Sequence, residues 1–211
     1  LMDIFDWLTI TLVCFIGAIT PGPSLIVIIY ITNSKNLVSG FLASLGHGFG
    51  IFLYALISIY ILNIIIAYLP ISMALIQILG SIFLIYISLK LIFFKPYKNS
   101  SKSKIEFSKS NFNNFFVGLT TSLINPKILI FFSSVFSQFI ESDYSVQTKL
   151  TMALLAGLID AFWYILVSYS INTKRIQNYL KVKQSIIFLI LGIILLFFSS
   201  YLILKSIEYF L

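Results

Sequence analysis

Residues 36–89 form a run of 54 residues without one Asp, Glu, Lys or Arg. At about 1.5 Å rise per helical residue, that run is too long for a single crossing of a roughly 30 Å hydrocarbon layer. Two crossings joined by a tight turn fit it, with Pro70 as the stop signal in the turn from Ala67 to Ile71. The whole chain agrees: of its 211 residues 59% are hydrophobic, and the mean hydropathy is +1.03, more than a water-soluble core of this length could hide.

Inside a bilayer every backbone N–H and C=O must find a partner within the protein. The sequence therefore predicts an all-α integral membrane protein. Apolar runs between polar punctuation place six transmembrane helices over residues 4–32, 38–66, 71–94, 113–140, 149–171 and 184–206. The longest polar stretch, rich in Ser, Asn and Lys, reads as a linker. The expected organisation is one transmembrane domain, residues 1–211, built from a first half (1–95), a cytoplasmic linker (96–111) and a second half (112–211). Three spans per half, an odd number, make the second half enter from the opposite side, as an inverted repeat. The acidic Asp3 and Asp6 stand where a secretory signal would be basic, so the first span is expected to be retained.

Helices 1 and 4 are both broken by proline, at Thr20-Pro21-Gly22-Pro23 and at Asn125-Pro126-Lys127. Proline lacks the helical donor and clashes with the preceding turn, so each break leaves backbone groups unpaired at bilayer depth. Pro21, Pro23 and Pro126 suit the first turn of a new half-helix, Asn125 suits its N-cap, and Gly22 admits close approach. A matched pair of broken helices, one per half, points to a central site in which helix N-termini receive an anion. A single break would serve as well for packing; two at comparable places favour a cavity.

Lys127 and Asp160 are the formally charged residues deep inside predicted spans, where desolvation makes a charge expensive and function the default reading. The alternatives are a structural ion pair, or Lys127 reaching for an interface. Trp163 and Tyr164, three and four residues after Asp160, could wall a pocket. His47 could relay protons, with a hydrogen-bonded core role the favoured reading, and Gln138 could simply mark a helix end. Small residues on helix 2 (Gly40, Ser44, Gly46, Gly48, Gly50) and helix 5 (Ala153, Ala156, Gly157, Ala161) suit close helix packing.

Several function classes fall away. One cysteine, Cys14, makes no internal disulfide, and one histidine leaves no Cys/His cluster for a metal, so no cofactor is expected. A metal-cation exporter would want clustered ligands, which Cys14, His47 and Asp160 on separate helices do not offer. An intramembrane enzyme would need a base paired with a nucleophile, and none is evident. The net charge of +7 flanks spans and does not form a soluble face, so nucleic acid is not an expected partner.

Taken together, Thr20-Pro21-Gly22-Pro23, Gly46 and Gly50, Asn125-Pro126-Lys127, Phe131, Phe136-Ser137-Gln138-Phe139 and Asp160 resemble the lysine exporter superfamily, in particular its homoserine/threonine efflux branch. The resemblance covers almost the whole chain. Ser137 departs from it, because the family's motif often has proline there. It implies a secondary exporter that moves amino acids or related metabolites out of the bacterial cytoplasm across the inner membrane, driven by a proton or sodium gradient. The expected substrate is a small zwitterion. Thr20, Pro21, Gly22, Pro23, Asn125, Pro126, Lys127, Asp160 and Trp163 would line its site, and Asp160 would meet its ammonium group or carry the coupling proton. Basic amino acids come second, and a heavy-metal or divalent cation third. The expected partners are the amino acid and the lipid bilayer, with a homodimer left open.

Orientation follows from charge. The loops after helices 1, 3 and 5 hold 11 of the 14 cations, whereas both termini and the loops after helices 2 and 4 hold Lys149 and Lys205. By the positive-inside rule both termini face outside. In a chain carrying Cys14→Ala, single cysteines at Ser101 and Ser142 should be labelled by an impermeant thiol reagent in intact cells only at Ser142. Labelling at Ser101 would reverse the topology.

Overall fold

The computed structural model describes residues 2–20, 22–68, 70–93, 111–140, 144–171 and 174–207. Pro21 and linker residues 94–110 lie outside them. The described residues form helices and turns, with no strand: α1 (Ile4–Ile19), α2 (Pro23–Ser34), α3 (Leu37–Tyr68), α4 (Pro70–Ile92), α5 (Asn111–Leu123), α6 (Pro126–Phe136), α7 (Val146–Ile171) and α8 (Lys174–Ile207). The all-α expectation holds. Three helical stretches are long and apolar enough to cross a bilayer: Leu37–Ile65, Leu75–Ile92 and Val146–Ile171. The pair α1 and α2, bent by 59° at the first proline break, makes a fourth if counted as one span. A shorter apolar stretch, Phe188–Leu204, lies in α8. The chain is a membrane protein, and large side chains such as Ile57, Ile61 and Ile64 on α3 stay exposed, as lipid-facing residues do.

Helix α3 is the central element, packed against α5 on one side and α7 on the other. Glycine makes both contacts possible. A Cβ on Gly46 would overlap the carbonyl oxygen of Phe115 on α5, and one on Gly118 would overlap that of Ala43 on α3. On the other side Gly48 and Gly157 face each other: a Cβ on either would stand 2.7–2.8 Å from the other's carbonyl oxygen. In lipid, helices have no hydrophobic drive to associate, so such backbone approach supplies the dispersion contact that holds them. The core then fills with side chains from several helices, among them Ile16 on α1, Ile51 on α3, Phe136 on α6 and Met152 on α7. Phe132 and Phe136 stack at 5.5 Å between ring centres.

Polar ties pin α3 and α7 at both ends. Near the start of α3, Ser44 Oγ lies 3.4 Å from Ser168 Oγ, an oxygen that also receives Thr32 Oγ1 of α2 at 3.2 Å. Near its far end, Lys149 Nζ donates to Asn63 Oδ1 at 2.8 Å. Lys149 is buried, although its place early in helix 5 of the sequence reading put it among the loop cations. Elsewhere, Gln77 Nε2 donates to the Ser137 carbonyl (2.6 Å) and Gln138 Nε2 returns a bond to the Gln77 carbonyl (3.1 Å), so Gln138 fastens the end of α6 to α4.

Replacing Gly46 with leucine forces α3 away from α5 and should cost on the order of 1–3 kcal/mol or more, as overpacking does. The apparent melting temperature of the purified protein in detergent should drop, while Ile64→Val on the exposed face leaves it unchanged.

Candidate functional site

Each proline break is built from local rules. Helix α1 ends when Thr20 N–H closes onto the Ile16 carbonyl at 3.0 Å, with the Thr20 hydroxyl on the same oxygen at 2.6 Å. Gly22 is extended, and Pro23 opens α2 with no side chain capping its first turn. At the second break Asn125 is the N-cap, its Oδ1 accepting from Lys127 N–H at 3.1 Å, and Pro126 occupies the first turn of α6. The sequence expectation for Asn125 and Pro126 is met.

The breaks are stitched to each other. Lys127 Nζ donates to the Thr20 carbonyl at 3.0 Å, and Asn125 Nδ2 donates to Ser24 Oγ at 3.1 Å. A Cβ on Gly22 would stand 3.7 Å from both Cδ and Nζ of Lys127, so Gly22 lies against the lysine's outer end. The carbonyl of Leu123, which α5 leaves without a helical donor, receives the Tyr54 hydroxyl from α3 at 2.6 Å. Buried carbonyls left by a helix break cost free energy unless paired, and here a lysine and a tyrosine pair them.

Around this junction is a cavity of about 30 Å³, lined by residues of α1, α2, α3, α6 and α7. Gly22, Asn125, Lys127 and Asp160 line it, together with Cys14, Ser24, His47, Phe131 and Tyr164. Thr20 is not in the lining and joins the site only through the bond from Lys127 to its carbonyl. Pro21 lies outside the described residues, and the side chains of Pro23 and Pro126 are not among those placed. Trp163 stands outside the lining, edge-on to Phe15 at 5.8 Å, with its buried indole N–H unpartnered. The cavity is large enough for one or two waters.

The two deep charges do not pair with each other. Asp160 Oδ2 is 2.6 Å from His47 Nδ1, and the two residues are 6% and 1% exposed. Lys127 instead holds the Thr20 carbonyl. Tyr164 packs edge-on against the His47 ring, 4.7 Å between centres. His47 and Tyr164 thus belong to the site beside Asp160. Helix spacing put Tyr164 near Asp160, but nothing local in the sequence joins His47 to a residue 113 positions away.

Removing the lysine ammonium with Lys127→Met orphans the Thr20 carbonyl, and Tyr54→Phe does the same at Leu123. Each should cost about 1–3 kcal/mol, the desolvation penalty of a buried unpaired acceptor. Thermal melts of substrate-free protein in detergent measure both losses; a melt unchanged by Lys127→Met would show that its bond to Thr20 contributes nothing.

The family model for the LysE type translocator matches residues 15–206. The threonine efflux protein of Escherichia coli (strain K12) is 25% identical over 165 residues, covering 77% of this chain and 80% of its own. The threonine efflux protein of Salmonella typhimurium is 24% identical over 163 residues, covering 76% and 79%. An uncharacterized membrane protein of Haemophilus influenzae is 26% identical over 205 residues, covering 95% and 97%. No solved structure matches. With the family model spanning both proline breaks, the central α3 and the charged cavity, this chain belongs to the LysE type translocators.

Proposed function

We propose that the protein is a secondary active exporter of a small zwitterionic amino acid, threonine or a close relative, from the bacterial cytoplasm across the inner membrane. The observation that carries this reading is the cavity between the two breaks: it presents Lys127 and Asp160, opposite charges that are not spent on each other. A zwitterion offers one charge to each. Its carboxylate would take Lys127 and the first turn of α2, whose N–H groups no side chain caps, while its ammonium would face Asp160. The first turn of α6 is the poorer seat, since Asn125 already caps it. The relatives named as threonine efflux proteins support the same substrate class.

In this reading the molecule has six spans in two inverted halves: α1 with α2, α3 and α4, then α5 with α6, α7 and α8, joined by a cytoplasmic linker, with both termini outside. What supports it is the placing of the breaks, one in the first span of each half. A cavity of about 30 Å³ does not hold an amino acid, so its walls part to admit one. Catalysis has no place in this cycle; the solute leaves as it came. Basic amino acids fit less well, because a second ammonium would require another acid beside Asp160.

Cells over-expressing the protein should accumulate threonine or a similar neutral amino acid in the medium, measured by metabolite-resolved efflux, and a proton ionophore should stop it. Pro23→Ala and Pro126→Ala, which allow continuous helices, should cut efflux by about tenfold or more while membrane insertion persists. Normal efflux from both variants would reduce the breaks to kinks.

A further inference from the structure

We infer that His47 and Asp160 act as one proton-binding dyad, and that the substrate's ammonium group and a proton compete for its single negative charge. The inference rests on the exporter reading above and names its coupling site. Three observations carry it. His47 is 1% exposed yet lines the cavity, so its contact with water is through the transport site alone. Its Nδ1 is 2.6 Å from Asp160 Oδ2; with Asp160 ionised the carboxylate only accepts, and Nδ1 then carries the hydrogen. Its other ring nitrogen, Nε2, is buried without a partner. A buried imidazole beside a cavity, with one nitrogen held by a carboxylate and the other unpartnered, is arranged to gain and lose a proton.

The charge count is simple. With neutral imidazole the dyad carries −1, and Nε2 offers a lone pair. A proton from cavity water adds to Nε2, giving imidazolium hydrogen-bonded to carboxylate and a dyad of charge 0. The bound state of the ammonium group requires the −1 form; the 0 form repels no solute but holds none. Proton entry and solute release are then linked, which is antiport. The other titratable groups around the dyad are Tyr164 on α7, Cys14 on α1 and Lys127 on α6, all on the same cavity, and each senses the Asp160 charge. Helix α2 presents Ser24 there, and α5 has no titratable residue. Lys127 keeps the whole site near neutrality when the dyad is −1, so the empty carrier does not bury an isolated charge.

The chain has one histidine, which permits a direct test in the unaltered protein. Purified by a tag free of histidine and labelled with 15N-histidine, it should give one pair of imidazole nitrogen signals that move with pH. Asp160→Asn should change that titration, and L-threonine should shift it and release about one proton per molecule bound, by linkage. In proteoliposomes, His47→Asn keeps an amide donor for Asp160 but cannot titrate; pH-gradient-driven threonine uptake should fall about tenfold or more, and what remains should lose its dependence on pH. Imidazole signals that stay fixed as pH is varied, with and without threonine, would overturn the dyad. So would His47→Asn with gradient-driven uptake and pH profile unchanged. If His47→Asn fails to fold, the wild-type imidazole titration decides, since it needs no variant. An absence of amino acid flux in wild type, with imidazole signals that still titrate and respond to Asp160→Asn, would sink the exporter reading and leave the proton site standing.

Discussion

A helix interrupted in the middle of a membrane has carbonyls facing hydrocarbon, and everything at the centre of this protein is arranged around that cost. Lys127 reaches across to the last carbonyl of α1, and Tyr54 reaches from α3 to the last carbonyl of α5. Asn125 serves twice, capping its own helix through Oδ1 and holding Ser24 through Nδ2. The breaks are therefore not two independent kinks. The second break supplies the lysine that pairs the carbonyl of the first and bonds it again from Asn125 to Ser24, and the cavity lies at their junction.

The distribution of charge follows from the same constraint. Lys127 is committed to a neutral carbonyl, so its positive charge is positioned without being cancelled. Asp160 is held by a histidine whose second nitrogen stays open, so its negative charge is oriented without being quenched. A direct Lys127–Asp160 salt bridge would satisfy both residues and leave nothing for a solute. Glycine on α3 is what prevents that economy: the close approach at Gly48 and Gly157 brings α7 near enough for Asp160 to meet His47 at 2.6 Å.

Much of this was legible in the chain. The positions of Pro23, Asn125 and Pro126 foretold where helices would restart, because proline and asparagine act through local geometry. Lys127 and Asp160 stood out because charge is rare in a span. What could not be read was which partner each would choose. His47 lies 113 residues from Asp160, and only the packing of α3 on α7 joins them. Trp163 and Tyr164 looked equivalent by spacing, yet positions three and four residues on from Asp160 are about 100° apart around a helix of 3.6 residues per turn. Packing turned Tyr164 toward the cavity and Trp163 toward Phe15. Lys149 was misjudged for a related reason: a lysine at a helix start reads as a loop charge until a neighbour such as Asn63 takes it inward.

The bond from Lys127 to the Thr20 carbonyl also bears on how such a chain can change over generations. A side chain can be replaced by another side chain, but the oxygen it serves here is backbone and remains whatever residue occupies position 20. Loss of the lysine therefore cannot be repaired by a change at its partner. It can be repaired only by a new donor from elsewhere or by a proline lost from the first break, so the constraint on position 127 is set by a motif some hundred residues upstream.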